Sequence, residues 1–466
     1  MEGATKLPLS LPAAPKLTFG FFGASAIFTS LAIGSGELMF WPALVLSGGA
    51  GVLWVALVAV AAQWLINTEI ARYSMATGES MVIGATRASK WLGVMLLLGA
   101  ILPWVWPGWV RSGGQLAAGL FGLPEQIISA VMLTSCAVIL STPTRIYPLI
   151  EKLQASMLAL QLGGVAILFT VVVASKGGLG AFVADFLTMR GTASALGDMM
   201  TSRDTAYFAL LGGIVFAGAG GILNIGYGIL ICEKGFGMGR YAPGVAGIAH
   251  SRGLGSADHP ILPPDTPDQR SAWRRWLKLV RIEHALLFLG GNIASILFIS
   301  AIFFMMFAGA TPETSGVSLL VDVFKRFGDH YGVWAAGLFA VVGIFVFYSS
   351  TLGILELTSR IAASILRALA GPQSLSISRW FHIVVWLQTL IGLGLIFVDP
   401  RQPFWLLATS AVFNTLVMAI YAMTVVWLNR TRLPRFTRPP SWISIAIVAV
   451  GVCYAAIFVL TLTKLV

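Results

Sequence analysis

Hydrophobic residues in this chain fall in long unbroken runs rather than in one-sided stripes. The runs lie near 18–46, 50–74, 91–119, 125–142, 149–174, 206–232, 284–309, 332–358, 379–398, 403–428 and 441–463. An α-helix of about 20 apolar residues crosses the hydrocarbon layer of a bilayer, and every backbone group is then satisfied inside the segment. A β-barrel would show shorter segments of alternating polarity. The pattern therefore predicts an all-α membrane protein of eleven transmembrane helices. Two of the runs are interrupted by clusters of small and polar residues. The first contains "AIGSGELMFWP", from Ala32 to Pro42, and the sixth contains "FAGAGGILNIGYGIL", from Phe216 to Leu230.

Composition agrees: 57% of the 466 residues are hydrophobic, 11% are charged, and the mean hydropathy is +0.86. Soluble domains carry roughly 25% charged residues. The opening "MEGATKLPLSLPAAPKLTF" is polar and proline-broken, so residues 1–17 read as a retained tail and not as a signal peptide. The net charge of +11 belongs to the loops. If the N-terminus is cytoplasmic, 22 of the 30 Lys and Arg residues lie on its side, including Lys6, Lys16, Arg145 and Arg252; 7 lie opposite, and Arg111 falls inside a span. That asymmetry predicts a multi-pass protein of the cell inner membrane with its N-terminus inside. Nucleic acid is not an expected partner; the lipid bilayer is. Cys136, Cys232 and Cys453 fit no disulfide or zinc spacing and read as small apolar residues. No Gly-Lys-Thr phosphate loop, zinc-spaced His/Cys set or nucleophile–base pair appears. An enzyme is not expected, nor is a bound cofactor.

The two interruptions line up: Gly34-Ser35-Gly36-Glu37-Leu38 matches Gly218-Ala219-Gly220-Gly221-Ile222. They open corresponding spans if the first ten helices form two sets of five. Five is odd, so the sets cross the membrane in opposite senses. This is the five-plus-five inverted repeat of secondary transporters, whose broken helices meet near the midplane and bind solute or ion with their half-helix ends. The reading divides the chain into a tail (1–17), a first repeat (18–175), an external loop (176–205), a second repeat (206–430) with a cytoplasmic loop at 234–283, and an eleventh helix with its connection (431–466). Within the 234–283 loop, "HPILPPDTPD" should be irregular, and "RSAWRRWLKLVRIEH" forms either a positive-inside anchor or a short helix at the anionic leaflet. The external stretch "GGLGAFVADFLTMRGTASALGDMM" reads as a capping loop with an interfacial helix.

A family resemblance enters at "EIARYSMATGES", Glu69 to Ser80, and at "YSSTLG", Tyr348 to Gly353. Both resemble segments of the Nramp (natural resistance-associated macrophage protein) divalent-metal transporters, as do eleven spans with broken first and sixth helices. The resemblance implies a leucine-transporter-like fold, alternating access, a divalent cation of the Mn, Mg or Fe class as cargo, and protons as the coupling ion in symport. The family's metal site is altered here. Its Asp-Pro-Gly-Asn is replaced by Gly34-Ser35-Gly36-Glu37, and its Met-Pro-His by Ile222-Leu223-Asn224. Without the thioether, carboxylate and amide oxygens would favour harder ions. "IGSGELMFWP" also resembles the first helix of the amino acid–polyamine–organocation transporters, where a glycine-rich break binds a substrate carboxylate. A small organic solute such as an amino acid is therefore the alternative cargo.

Glu37 is the leading candidate: a carboxylate at mid-span either ligates a cation, carries a proton, forms a salt bridge, or caps the helix after the break. Asn224 offers an amide oxygen to the same ion, which makes Glu37 and Asn224 the expected metal ligands. Gly34, Ser35, Gly36, Gly218, Gly221 and Asn414 complete the expected substrate site, against the simpler role of close helix packing or an interhelical hydrogen bond. Arg111, Tyr227, Ser349 and Ser350 are pathway candidates. Arg111 would line an external vestibule or a proton route and pair with Glu37, or snorkel to the outer headgroups. Glu69 with Arg72 and Glu356 with Arg360 read as ion pairs within their helices. Ser349, Ser350 and Thr351 bond back to their own helix or contact substrate. His382 and Gln388 are the remaining polar groups of the ninth span.

Overall fold

The structure is a computed structural model, and it describes residues 9–15, 19–142, 146–241, 260–307, 316–371 and 373–465. Lys6, Lys16, Arg145 and Arg252 lie outside them. Helices α1 (Gly23–Ala32) and α2 (Trp41–Gly48) form the first span, joined by an extended turn and a π-helical segment, Gly36–Phe40. The second span is α3 (Leu53–Thr77), followed by a short α4 (Met81–Ala88). The third is split into α5 (Lys90–Ile101) and α6 (Gly108–Phe121). Then come α7 (Glu125–Ser141) and α8 (Ile146–Lys176), and two distal helices, α9 (Leu179–Thr188) and α10 (Thr192–Thr201). The sixth span is again split, into α11 (Thr205–Val215) and α12 (Leu223–Glu233). Next, α13 (Pro267–His284) runs through a π turn into α14 (Gly290–Phe307), followed by α15 (Val317–Tyr331) and α16 (Val333–Ala370). The chain ends with α17 (Ile377–Val398), α18 (Pro403–Thr431) and α19 (Ser441–Leu465).

Eight of these segments are long and apolar enough to cross a membrane. The other three expected spans are the split third, the 17-residue α7 and the split sixth. We call the end holding the start of α1 proximal and the opposite end distal. The third span departs from the continuous helix expected over 91–119. In "LPWVWPGW" Pro103 and Pro107 remove two backbone donors, so the helix stops at Ile101 and restarts at Gly108. The "RSAWRRWLKLVRIEH" stretch lies within α13, and its Trp273 and Trp276 are buried in the protein. Cation–π contact between Arg72 and Trp273, at 6.0 Å, helps seat it against α3. The external stretch holds two helices where one was expected. The three cysteines are free.

The half-helices occupy the middle of the bundle. All ten residues of α1 are buried, with α8 and α16 beside it. Small residues permit this: a Cβ on Gly353 of α16 would lie 2.5 Å from the Cβ of Leu31. In lipid, helices associate through such close packing and through hydrogen bonds, because apolar burial no longer distinguishes protein from solvent.

Candidate transport site

The two breaks meet back to back. A Cβ on Gly36 would come within 2.0 Å of the Phe216 carbonyl oxygen, so only glycine lets the first break touch the sixth there. In the first break, the Gly34 carbonyl accepts the Leu38 N–H at 3.1 Å and opens the second half-helix. Glu37 reaches back, and its Oε2 accepts the Gly34 N–H at 2.8 Å. That is the return half of a capping box, so the capping role and the candidate-ligand role fall on different oxygens. Glu37 Oε1 is buried and has no hydrogen-bond partner among the described residues. The open carbonyls at the end of α1 are satisfied from α16: Ser349 donates to the Ser30 carbonyl (3.0 Å), and Ser350 to those of Leu31 (3.1 Å) and Ile33 (3.3 Å). The two serines therefore splice the break rather than lining it.

In the sixth break, Gly220 and Gly221 take φ of 72° and 50°, a left-handed turn that glycine makes without strain. A residue absent from the sequence expectations holds it. Gln63 of α3 donates to the Val215 carbonyl at 3.1 Å, and accepts the Gly220 N–H at 3.1 Å and the Asn224 amide at 3.3 Å. Asn224 also donates to the Tyr421 hydroxyl at 2.6 Å. Its Oδ1 is left without a partner among the described residues, as is Asn414 Oδ1, which abuts Gly221. Both asparagines and Glu37 thus present a bare, buried oxygen. A lone glutamine in "LVAVAAQWLIN" was the available signal for Gln63.

Aromatic rings wall the break on its distal side. Phe216 meets Trp109 at 5.2 Å, Trp104 at 6.3 Å and Phe40 at 6.3 Å; Phe40 meets Phe404 at 5.6 Å. The split in the third span is what brings Trp104 and Trp109 here. Beyond Phe404 lies a cavity of about 210 Å³, with Gln115, Thr205, Ser318 and Gln402 among its lining residues. Arg111 does not pair with Glu37. Its guanidinium donates to Glu125 (2.7 Å) and to the carbonyls of Asp399 (3.0 Å) and Arg401 (2.9 Å), tying α6 to the distal loop between α17 and α18. The carboxylate of α7 is nearer, and it satisfies the charge without a path through the bundle.

The proximal end is closed by ion pairs. Lys234 pairs with Glu151, and Arg360 with Glu356 and with Glu233 at 2.7 Å. Glu69 holds Arg72 (2.6 Å) and also Arg281 of α13 (3.1 Å). Removing one member of such a buried pair costs about 3–5 kcal/mol, although the pair itself adds little net stability. Tyr227 turns away from the break and donates to Glu283 at 3.2 Å. His382 bonds the Ser378 carbonyl of its own helix, and Gln388 accepts from Thr358. Among the described residues, no three His, Cys, Asp or Glu side chains come together as a metal centre.

No protein-family model matches this chain, and no curated protein matches it significantly. Solved structures do. The chain is similar to a manganese transporter of Eremococcus coleocola, in complex with an aromatic bis-isothiourea substituted compound, with a TM-score of 0.63 and 12% identity over 97% of this chain and 88% of that one. It is also similar to MhsT in complex with L-phenylalanine (TM-score 0.59, 16% identity, 97% and 100% covered). A third is Mhp1, a nucleobase-cation-symport-1 family transporter with bromovinylhydantoin bound (TM-score 0.52, 13% identity, 95% and 90% covered). The fold is leucine-transporter-like. At the level of fold the Nramp resemblance holds over nearly the whole chain, and the inverted repeat with broken first and sixth helices is the architecture of membrane transporters.

Proposed function

We propose that this chain is a secondary transporter of a divalent metal ion, proton-coupled and working by alternating access. α1–α2 and α11–α12 rock against a scaffold of the third, fourth, eighth and ninth spans (α5–α6, α7, α16 and α17). One observation carries the choice of cargo. In the alternative reading a substrate carboxylate binds the N–H groups of the first break; here Glu37 of the chain already occupies the Gly34 N–H. The site therefore supplies a carboxyl group and bare oxygens, which suit a cation. Carboxylate and amide oxygens suit Mn or Mg, and with no thioether in the sixth break the ligand set is altered from the Nramp pattern. The excess of Lys and Arg at the proximal end supports placing that end in the cytoplasm. Ion pairs close the proximal end, and the aromatic wall stands between the break and the distal cavity.

The test is calorimetric titration of the purified chain with Mn(II) and Mg(II). Binding that disappears in Glu37→Ala is expected; no binding of either ion by the wild type would sink the metal assignment. The aromatic wall of Phe40, Phe216, Trp104 and Trp109 favours a second reading, a small organic solute. That reading predicts a thermal shift with such a compound and none with metal.

A further inference from the structure

Away from the breaks, four buried polar side chains from three separate elements converge on one point at the proximal end. Glu283 and His284, the last residues of α13, are both fully buried. Ser25 of α1 donates to Glu283 twice, from its N–H at 3.0 Å and from its hydroxyl at 2.5 Å. The Tyr227 hydroxyl of α12 lies 3.2 Å from Glu283 Oε2 and 3.1 Å from Ser25 Oγ. His284 Nδ1 is 2.9 Å from Ser25 Oγ. Its ring stacks between Tyr227 (4.1 Å) and Phe288 (4.6 Å).

Proton counting gives this arrangement a direction. A carboxylate accepts only, and the Ser25 and Tyr227 hydroxyls have one proton each. If both are given to Glu283, the His284–Ser25 bond requires His284 to carry its proton on Nδ1. One added proton then has two places to sit. On His284 it makes an imidazolium. On Glu283 it makes an acid that must donate, which turns the Ser25 hydroxyl toward His284 Nδ1 and moves that ring's proton to Nε2. The atoms balance in both cases, and the pair takes up one proton as a unit. His284 Nε2 has no partner among the described residues.

We propose that Glu283 and His284, bridged by Ser25, form the binding site of the coupling proton, and that its occupancy unlatches the proximal half-helix α1. The proposal rests on the transporter reading above. The site joins the proximal halves of both broken helices to the head of the seventh span, so α1 cannot swing away without breaking the Ser25 bonds. Hydrogen bonds to an ionised carboxylate are about twice as strong as those to a neutral acid. Protonation therefore weakens the hold on α1.

The neighbouring charged groups are otherwise engaged. Lys234, which follows α12, bonds Glu151 of α8, next to Gly23. Glu233 of α12 and Glu356 of α16 share Arg360, and Arg281 of α13 bonds Glu69 of α3. Tyr147 of α8 faces the site as a buried phenol. None of these cations contacts Glu283 directly among the described hydrogen bonds and ion pairs.

The test is hydrogen–deuterium exchange of the Gly23–Ala32 segment in the full chain in lipid nanodiscs. It is read at about pH 5.5 and about pH 8, with intrinsic rates divided out. The wild type should exchange about tenfold faster at the lower pH. Glu283→Gln should exchange fast at both. Tyr227→Phe removes one donor from the ionised carboxylate, so its transition should move to higher pH; this variant decides the matter if Glu283→Gln does not fold. A wild-type pH response in Glu283→Gln, or an unmoved transition in Tyr227→Phe, overturns the proposal. The readout needs no cargo, so absence of Mn(II) uptake would refute the cargo reading alone. Mn(II) uptake into proteoliposomes that stays equally dependent on a pH gradient in Glu283→Gln would overturn the proton site alone.

Discussion

The two broken helices are equivalent by position in the repeat, yet they are broken by different means. The first is interrupted by polar side chains: Glu37 takes the Gly34 N–H, and Ser349 and Ser350 take the carbonyls that end α1. Neither of its glycines has a positive φ. Gly36 is there for closeness, because a Cβ would meet the Phe216 carbonyl. The sixth is interrupted by handedness, with Gly220 and Gly221 left-handed and one glutamine from α3 bridging the gap. The first break can therefore lose a side chain and remain a break, whereas the sixth depends on backbone geometry that no other residue adopts cheaply.

Gly221→Ala should do the most damage. The left-handed conformation costs an L-residue roughly 1–2 kcal/mol, and the new methyl would sit 1.8 Å from Asn414 Oδ1 and 2.3 Å from its Cγ. We expect a loss of about 3 kcal/mol or more, seen as a large drop in the detergent melting temperature. Melting within a degree of wild type would mean that the sixth break is as adaptable as the first. Gln63→Leu should come next. It strips partners from the Val215 carbonyl, the Gly220 N–H and the Asn224 amide at once. Each buried group left unsatisfied costs about 1–3 kcal/mol. Ser350→Ala should cost least of the three, about 1 kcal/mol, because Ser349 still holds its own carbonyl. A Ser350→Ala loss larger than that of Gln63→Leu would reverse the comparison.

The same contrast explains what could be read from the residues alone. Helices written as apolar runs were legible, as were the two glycine clusters and the ion pairs Glu69–Arg72 and Glu356–Arg360, because their cause is local. Gln63 was not, since its importance comes from three groups of another span that only folding brings to it. The split third span was missed for another reason. Pro103 and Pro107 were visible, but proline in a membrane helix is compatible with either a kink or a break; in the fold the break is where Phe216 packs on Trp104 and Trp109. Arg111 shows the limit of pairing charges by rarity. Glu125 lay outside the break and was nearer in space.

Glu37→Gln should change stability least and function most, which separates the two jobs of that side chain. The amide oxygen of a glutamine can still accept the Gly34 N–H, so the cap that starts the second half-helix survives. That leaves the amide nitrogen at the position of the bare Oε1, where it presents donors to a cation instead of an acceptor. The melting temperature should stay close to that of wild type, because one unpartnered buried polar atom replaces another, a difference of less than about 1 kcal/mol, and expression should be normal. Metal uptake into proteoliposomes should be lost. If uptake persists while the fold is intact, the bare oxygen is not a ligand and Glu37 serves the break alone, which would make the two breaks structural counterparts after all. If the fold fails instead, the charge on Oε2 is part of the cap, and the first break is held more tightly than its polar splice suggests.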